Sequence, residues 1–92
     1  MIKAFKDDDT ESLFNDVWVA RFQVIERVAR RKLLVLNSVD RLDDLKVPPG
    51  NRLEALHGSR KGQYSIRIND QYRICFSWKD GNANEVEITD YH

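Results

Sequence analysis

The sequence predicts an α+β fold, with a short N-terminal strand and helices packed on one face of a small antiparallel sheet. Three observations carry this. Apolar residues recur at helical spacing between Val19 and Leu36. After Pro48-Pro49-Gly50-Asn51 the period changes from 3.6 to two. Turn signals at Asn69-Asp70 and Asp80-Gly81-Asn82 then cut the second half into antiparallel runs. The length of 92 residues leaves room for one core, so a single domain spanning 1–92 is expected.

In chain order, Ile2 to Phe5 alternates weakly and reads as a first strand. Asp7-Asp8-Asp9-Thr10 offers a helix start, because carboxylates meet the unpaired amides and positive dipole of an N-terminus. A short helix over Glu11 to Phe14 follows. Phe22, Ile25, Val28, Ala29, Leu33 and Leu36 then form one apolar stripe of a helix from Val19 to Leu36. Lys32 sits inside that stripe and is expected to bury its stem and extend its charge to water. Ser38 is positioned to cap a second short helix through Leu45, and Pro48-Pro49-Gly50-Asn51 should end helical structure. Leu53 to Leu56 suggests a short strand or its run-in. Tyr64 to Ile68 and Tyr72 to Trp78 read as a hairpin, and a last strand carries Val86 and Ile88. Period two places Arg67, Arg73, Ser77 and Thr89 together on the solvated face.

Composition excludes several classes. Hydrophobic residues are 41% and charged residues 33%, which fits a globular chain rather than a disordered one. A single cysteine, Cys75, rules out an internal disulfide, and with two histidines it argues against a Cys/His zinc site. No apolar run approaches the roughly 20 residues of a membrane helix. Met1-Ile2-Lys3-Ala4-Phe5 lacks the apolar core of a leader, so a reducing bacterial-type cytoplasm is expected. Fifteen basic residues balance fifteen acidic ones, yet residues 21–73 hold twelve basic against six acidic. A neutral protein with a basic face is the implication, although such faces are often merely solvated.

Several residues can carry chemistry. His92 titrates nearest neutral pH and is a proton-carrier candidate, Asp90 is placed to orient it or act as a base, and Tyr91 offers a stacking face. The alternative is a polar strand end that stops the chain. His57-Gly58-Ser59-Arg60-Lys61-Gly62-Gln63 is a glycine-flanked basic loop in which Arg60 and Lys61 suit phosphate; His57 is either a second proton carrier or a turn residue. Arg73 in mid-strand suits stabilisation of an anionic phosphorus centre, or an ion pair with Asp90 or Glu87. Cys75 reads as a small packed residue. Arg27, Arg30 and Arg31 form a basic helix face that suits RNA, an acidic partner, or plain solvation.

Three stretches carry a resemblance. Pro48-Pro49-Gly50-Asn51-Arg52-Leu53-Glu54-Ala55-Leu56, the run from Gly62 to Phe76, and the terminal Asp90-Tyr91-His92 are similar to HigB-type toxins of the RelE/ParE group. The resemblance spans the whole chain and is most specific from Pro48 onward. It implies a RelE/ParE-like fold and a type II toxin that cleaves messenger RNA on the translating ribosome. It also implies a helix-turn-helix antitoxin of the HigA type, a toxin–antitoxin heterotetramer, a monomeric free toxin, and no membrane association. The implied chemistry needs no metal or cofactor: a ribose 2′-hydroxyl attacks the adjacent phosphorus and the 5′-oxygen leaves. In that scheme Asp90, Tyr91 and His92 match the C-terminal catalytic residues and Arg73 matches the phosphate-holding arginine. His57, Arg60, Lys61, Arg67 and Gln71 would contact RNA, and Arg27, Arg30 and Arg31 would dock on ribosomal RNA. Glu54 occupies a position where some catalytic members have histidine, so it serves either as a carboxylate base or as a partner of Arg73. The rival readings are a non-catalytic, gyrase-binding relative of the same fold and a degenerate member that only binds antitoxin or ribosome.

Overall fold

The computed structural model describes residues 1–90. Asp7 caps the first helix, α1 (Asp8–Phe14), its carboxylate accepting from the Thr10 amide at 3.2 Å. Asp8, Asp9 and Glu11 crowd the first turn, where the dipole favours negative charge. The helix therefore starts three residues before the expected Glu11. The buried Thr10 hydroxyl accepts from the Ile88 amide at 3.1 Å and ties this helix to the last strand.

The continuous helix expected from Val19 to Leu36 does not form. Ala20–Phe22 make a 3-10 turn, and α2 runs only from Glu26 to Ser38. The stripe itself is correct, since Phe22, Ile25, Ala29, Leu33 and Leu36 are all buried. Periodicity reports which side is buried and is blind to a change of backbone bonding that leaves that side inward. Ser38 closes α2, its hydroxyl donating to the Val35 carbonyl at 2.8 Å, rather than capping a second α-helix. That second helix is instead a 3-10 turn over Leu42–Lys46. Pro49–Asn51 form a further 3-10 turn, so the Pro-Pro-Gly-Asn run bends the chain without abolishing helical geometry. Proline is tolerated there because a first-turn amide has no partner to lose.

The sheet is antiparallel, in the order β1 (Glu54–Ala55), β2 (Gln63–Arg67), β3 (Tyr72–Lys79), β4 (Asn82–Asp90). Asp80 and Gly81 both have positive φ, 53° and 78°, which suits the right-handed twist of a two-residue hairpin. A bulge between Cys75 and Ser77 sets two residues of β4 against one of β3, with Glu85 at φ 50°. The inserted residue changes parity, so Ala83 is buried together with Val86 and Ile88. The expected N-terminal strand is reduced to isolated parallel bridges from Ile2 to Ala83 and from Phe5 to Val86. The bulge lies between those two contacts and interrupts the ladder a full strand would need. The core joins Leu13, Phe22, Ala29, Leu33 and Leu36 to Ile66, Ile74, Phe76, Val86 and Ile88, so the helices cover one face of the sheet.

Candidate active site

The other face of the sheet carries the polar residues, and the register arranges them in rows. Glu54, Ser65, Cys75 and Glu87 face one another across the four strands. Arg67, Arg73 and Thr89 form the adjacent row. Directly opposed residues share a face, so both rows lie on the side away from the helices. The amide of Lys6 bonds the Val86 carbonyl at 2.9 Å, which extends the first row past β4.

Arg73 sits at the centre, its side chain 11% exposed. Its Nε donates to Ser65 Oγ at 2.7 Å, and Nη2 donates to the Arg52 carbonyl at 2.7 Å. Glu54 Oε2 lies 3.8 Å from the same Nη2. Of the two roles open to Glu54, the ion pair with Arg73 is thus present. Arg52 adopts a left-handed backbone, φ 47° and ψ 57°, directly after the Pro49–Asn51 turn. That reversal brings its carbonyl to the guanidinium, and left-handed geometry in a non-glycine residue marks a constrained site. Sequence reading missed Arg52 and Ser65; the signal was the Pro-Pro-Gly-Asn run, which predicts a sharp turn ahead of β1.

Arg67 and Arg73 are directly opposed, an unfavourable pairing of like charges. Arg67 is drawn off to Asp70 in the adjoining turn, while Arg73 holds the anchors above. Arg60 Nη1 reaches Gln63 Oε1 at 3.0 Å and Glu87 Oε2 at 3.3 Å, and Lys6 Nζ meets the same Glu87 oxygen at 3.1 Å. Glu87, considered above as a partner of Arg73, therefore gathers Lys6 and Arg60. His57 and Lys61 are exposed on the preceding loop. Gln71 Nε2 donates to Asp90 Oδ2 at 3.0 Å, so Gln71 orients the carboxylate at the end of β4. Tyr91 and His92 lie outside the described residues. Cys75 is buried as the floor between Ser65 and Glu87, and burial pushes its thiol pKa up against the opposing pull of Arg60.

The face of α2 divides. Arg27 and Arg31 are exposed, whereas Arg30 turns toward α1. Its Nε donates to the Leu13 carbonyl at 3.0 Å, and Nη1 pairs with Glu26 at 3.1 Å and Asp16 at 3.4 Å. Lys32 is partly buried, and its amine has a protein partner. Nζ donates to Asn51 Oδ1, and burial, reinforced by Arg31 and Arg67, lowers its pKa.

A fold of two helices on one face of a small antiparallel sheet is shared with the YafQ and YoeB toxins. A point variant of YafQ from Escherichia coli superposes over 98% of this chain and 93% of its own, with a TM-score of 0.68 at 10% identity. The YoeB–YefM toxin–antitoxin heterotetramer from Staphylococcus aureus contains a chain that matches over 100% of this chain and 98% of its own, with a TM-score of 0.58 at 18% identity. At such identities the likeness concerns the fold. Within that class the chain belongs to the HigB-like toxin family, RelE-like toxins of type II toxin–antitoxin systems, whose sequence pattern matches residues 2–92. Toxin HigB-1 of Vibrio cholerae serotype O1 is 44% identical over 85 residues, covering 90% of each chain. Among the described residues no helix is long and apolar enough to cross a membrane.

Proposed function

We propose that this toxin is a ribosome-dependent endoribonuclease that cuts messenger RNA at the polar face of its sheet. It acts in the bacterial cytoplasm and is neutralised by a HigA-type antitoxin in a heterotetramer. The observation that carries the reading is Arg73: a guanidinium held by Ser65 Oγ and the Arg52 carbonyl, beside the Glu54 carboxylate. A cation already fixed in place stabilises developing phosphoryl charge without reorganising during the reaction.

In this scheme Glu54 holds Arg73 until substrate arrives and, once the phosphate takes its place on the guanidinium, accepts the proton of the ribose 2′-hydroxyl. The 2′-oxygen forms a bond to phosphorus as the bond to the 5′-oxygen breaks. The leaving oxygen takes a proton from His92, oriented by Asp90, leaving a 2′,3′-cyclic phosphate and a 5′-hydroxyl. Tyr91 stacks on a flanking base. Gln71 holds Asp90, and Arg60, Lys61, Arg67 and His57 hold the RNA strand. Proton-transfer groups of this kind contribute about 10²–10⁴ in rate. Arg73→Lys keeps the charge but loses the planar fork, and a fall of about 10²–10³ in cleavage is expected.

The test is brief induction, followed by growth and mapping of transcript ends for the intact chain and for Glu54→Ala, Arg73→Lys and His92→Ala. Growth arrest with new 5′-hydroxyl ends in translated messages, lost in the variants, is the expected result. Arrest with intact transcripts overturns it in favour of a toxin that acts by binding alone.

A further inference from the structure

A cavity of about 350 Å³ lies between α2 and the turn that precedes β1. Arg31, Lys32 and Val35 line it from the helix, and Pro48 and Asn51 line it from the turn. Val35 lies three and four residues on from Lys32 and Arg31, so the three share one side of α2. The walls combine apolar surface from Val35 and Pro48 with two cations. Among the described residues neither Arg31 nor Lys32 pairs with a carboxylate. Asn51 Oδ1, the acceptor for Lys32, carries no charge, and an ammonium has further donors to offer. Burial first, then the positive charges of Arg31 and Arg67, lower the Lys32 pKa. Two cations at the cavity and a third beside it therefore repel one another, and an anion seated there relieves that repulsion.

We propose that this cavity is a nucleotide subsite, holding one unit of the message next to the cleaved bond, its phosphate on Arg31 and Lys32 and its base against Val35 and Pro48. The proposal rests on the reading of the chain as a message-cutting nuclease. The cavity connects with the candidate active site in two ways. Asn51 lines it, and the next residue, Arg52, gives its carbonyl to Arg73. Arg67 directly opposes Arg73 across β2 and β3 and stands close enough to Lys32 to act on its charge. Arg73, Arg67 and Lys32 are thus successive cations of the kind that a phosphate backbone follows. Asp70 holds Arg67 from an almost fully exposed position, and such a pair yields readily to a phosphate. The volume is near the small end of ligand sites, with room for one base and its sugar but not for a docked helix. Arg31 would then serve the message strand, while Arg27 stays with the basic outer face of α2.

The test uses the full chain and a 2′-O-methyl RNA hexamer that cannot be cut, with affinity read by fluorescence anisotropy over a range of salt. Arg31→Glu should weaken binding by about tenfold or more, and loss of one phosphate contact should make the log–log salt slope shallower by roughly 0.7. Lys32→Met should also weaken it by about tenfold, and thermal melting checks that both variants fold. Lys79→Glu makes the same change of net charge at an exposed site outside the cavity, and should stay within about twofold of the parent. Removing one base at a time from the hexamer should cost the parent about fivefold at one position, where the base leaves the apolar walls. Equal losses for Arg31→Glu and Lys79→Glu overturn the proposal, as does unchanged affinity in both cavity variants or no sensitive base position. A parent that does not bind the hexamer overturns it too. Adenosine 5′-monophosphate bound as tightly as the hexamer overturns it in favour of a site for free nucleotides. If the parent cuts no message yet the cavity variants lose the hexamer, the RNA subsite stands and the nuclease reading falls. If the parent cuts message and the cavity variants bind and cut as it does, the nuclease reading stands and the subsite falls.

Discussion

Asn51→Ala should be among the most damaging substitutions outside the active face. Asn51 is 1% exposed. Its Nδ2 donates to the carbonyls of Leu45 and Val47, each at 3.2 Å, and its Oδ1 accepts from Lys32 Nζ. Alanine removes three hydrogen bonds at once and leaves the carbonyl of the fully buried Leu45 without this donor. At about 1 kcal/mol net per bond the loss is roughly 3 kcal/mol, and more where the freed groups stay dry. For a domain of this size each kcal/mol lowers the melting temperature by about 4–8 °C, so a drop of roughly 12–24 °C follows. The consequence extends to function. Asn51 ends the turn that sets Arg52 in its left-handed conformation, and the Arg52 carbonyl anchors Arg73. Urea unfolding followed by circular dichroism gives the stability, and message cleavage below the melting range gives the coupling. A loss under about 1 kcal/mol would refute the reasoning, because it would mean water or a local shift replaces all three bonds.

Two further outcomes follow from groups whose pKa is shifted. Lys32 has a folded pKa below its ordinary value of 10.5, so between the lowered value and 10.5 the unfolded chain binds more protons. Stability should therefore gain from Lys32 as pH rises through that window, and the gain should be lost again as pH falls; Lys32→Met should flatten this alkaline rise in urea midpoints, and an unchanged slope would refute it. Cys75 is buried with its thiol pKa raised, so it should react with a disulfide reagent at neutral pH only as fast as the chain opens; prompt labelling of the native protein would contradict this.

Much of the candidate site was legible because strands alternate. Period two alone places Arg67 and Arg73 on the solvated face with Cys75 beside them; the reading of Cys75 as a packed residue came from the usual burial of free cysteine, not from alternation. What alternation does not convey is the partner of each charge. Alternation left Arg73 open to Asp90 or Glu87; Glu87 lies in the row that Lys6 and Arg60 reach, and Glu54, a candidate partner only through the family resemblance, comes to Arg73 from a strand of two residues. The basic helix face likewise read as uniform, and Arg30 left it because Leu13 and Asp16, far away in sequence, offered acceptors.

By itself the sequence determined the α+β class, the buried stripe of α2, the β2–β3 and β3–β4 turns and the polar face. These follow from local spacing and turn chemistry, which each segment carries within a few residues. Tertiary structure alone decided where α2 begins, how the N-terminal segment joins β4, and what holds Arg73. Each of those depends on contacts between residues distant in sequence: the bulge at Glu85 shapes the edge met by Ile2 and Phe5, and the left-handed turn at Arg52 brings a carbonyl to a guanidinium 21 positions later. Side-chain spacing has no period that reports such contacts, because packing and register select them only after the elements have met.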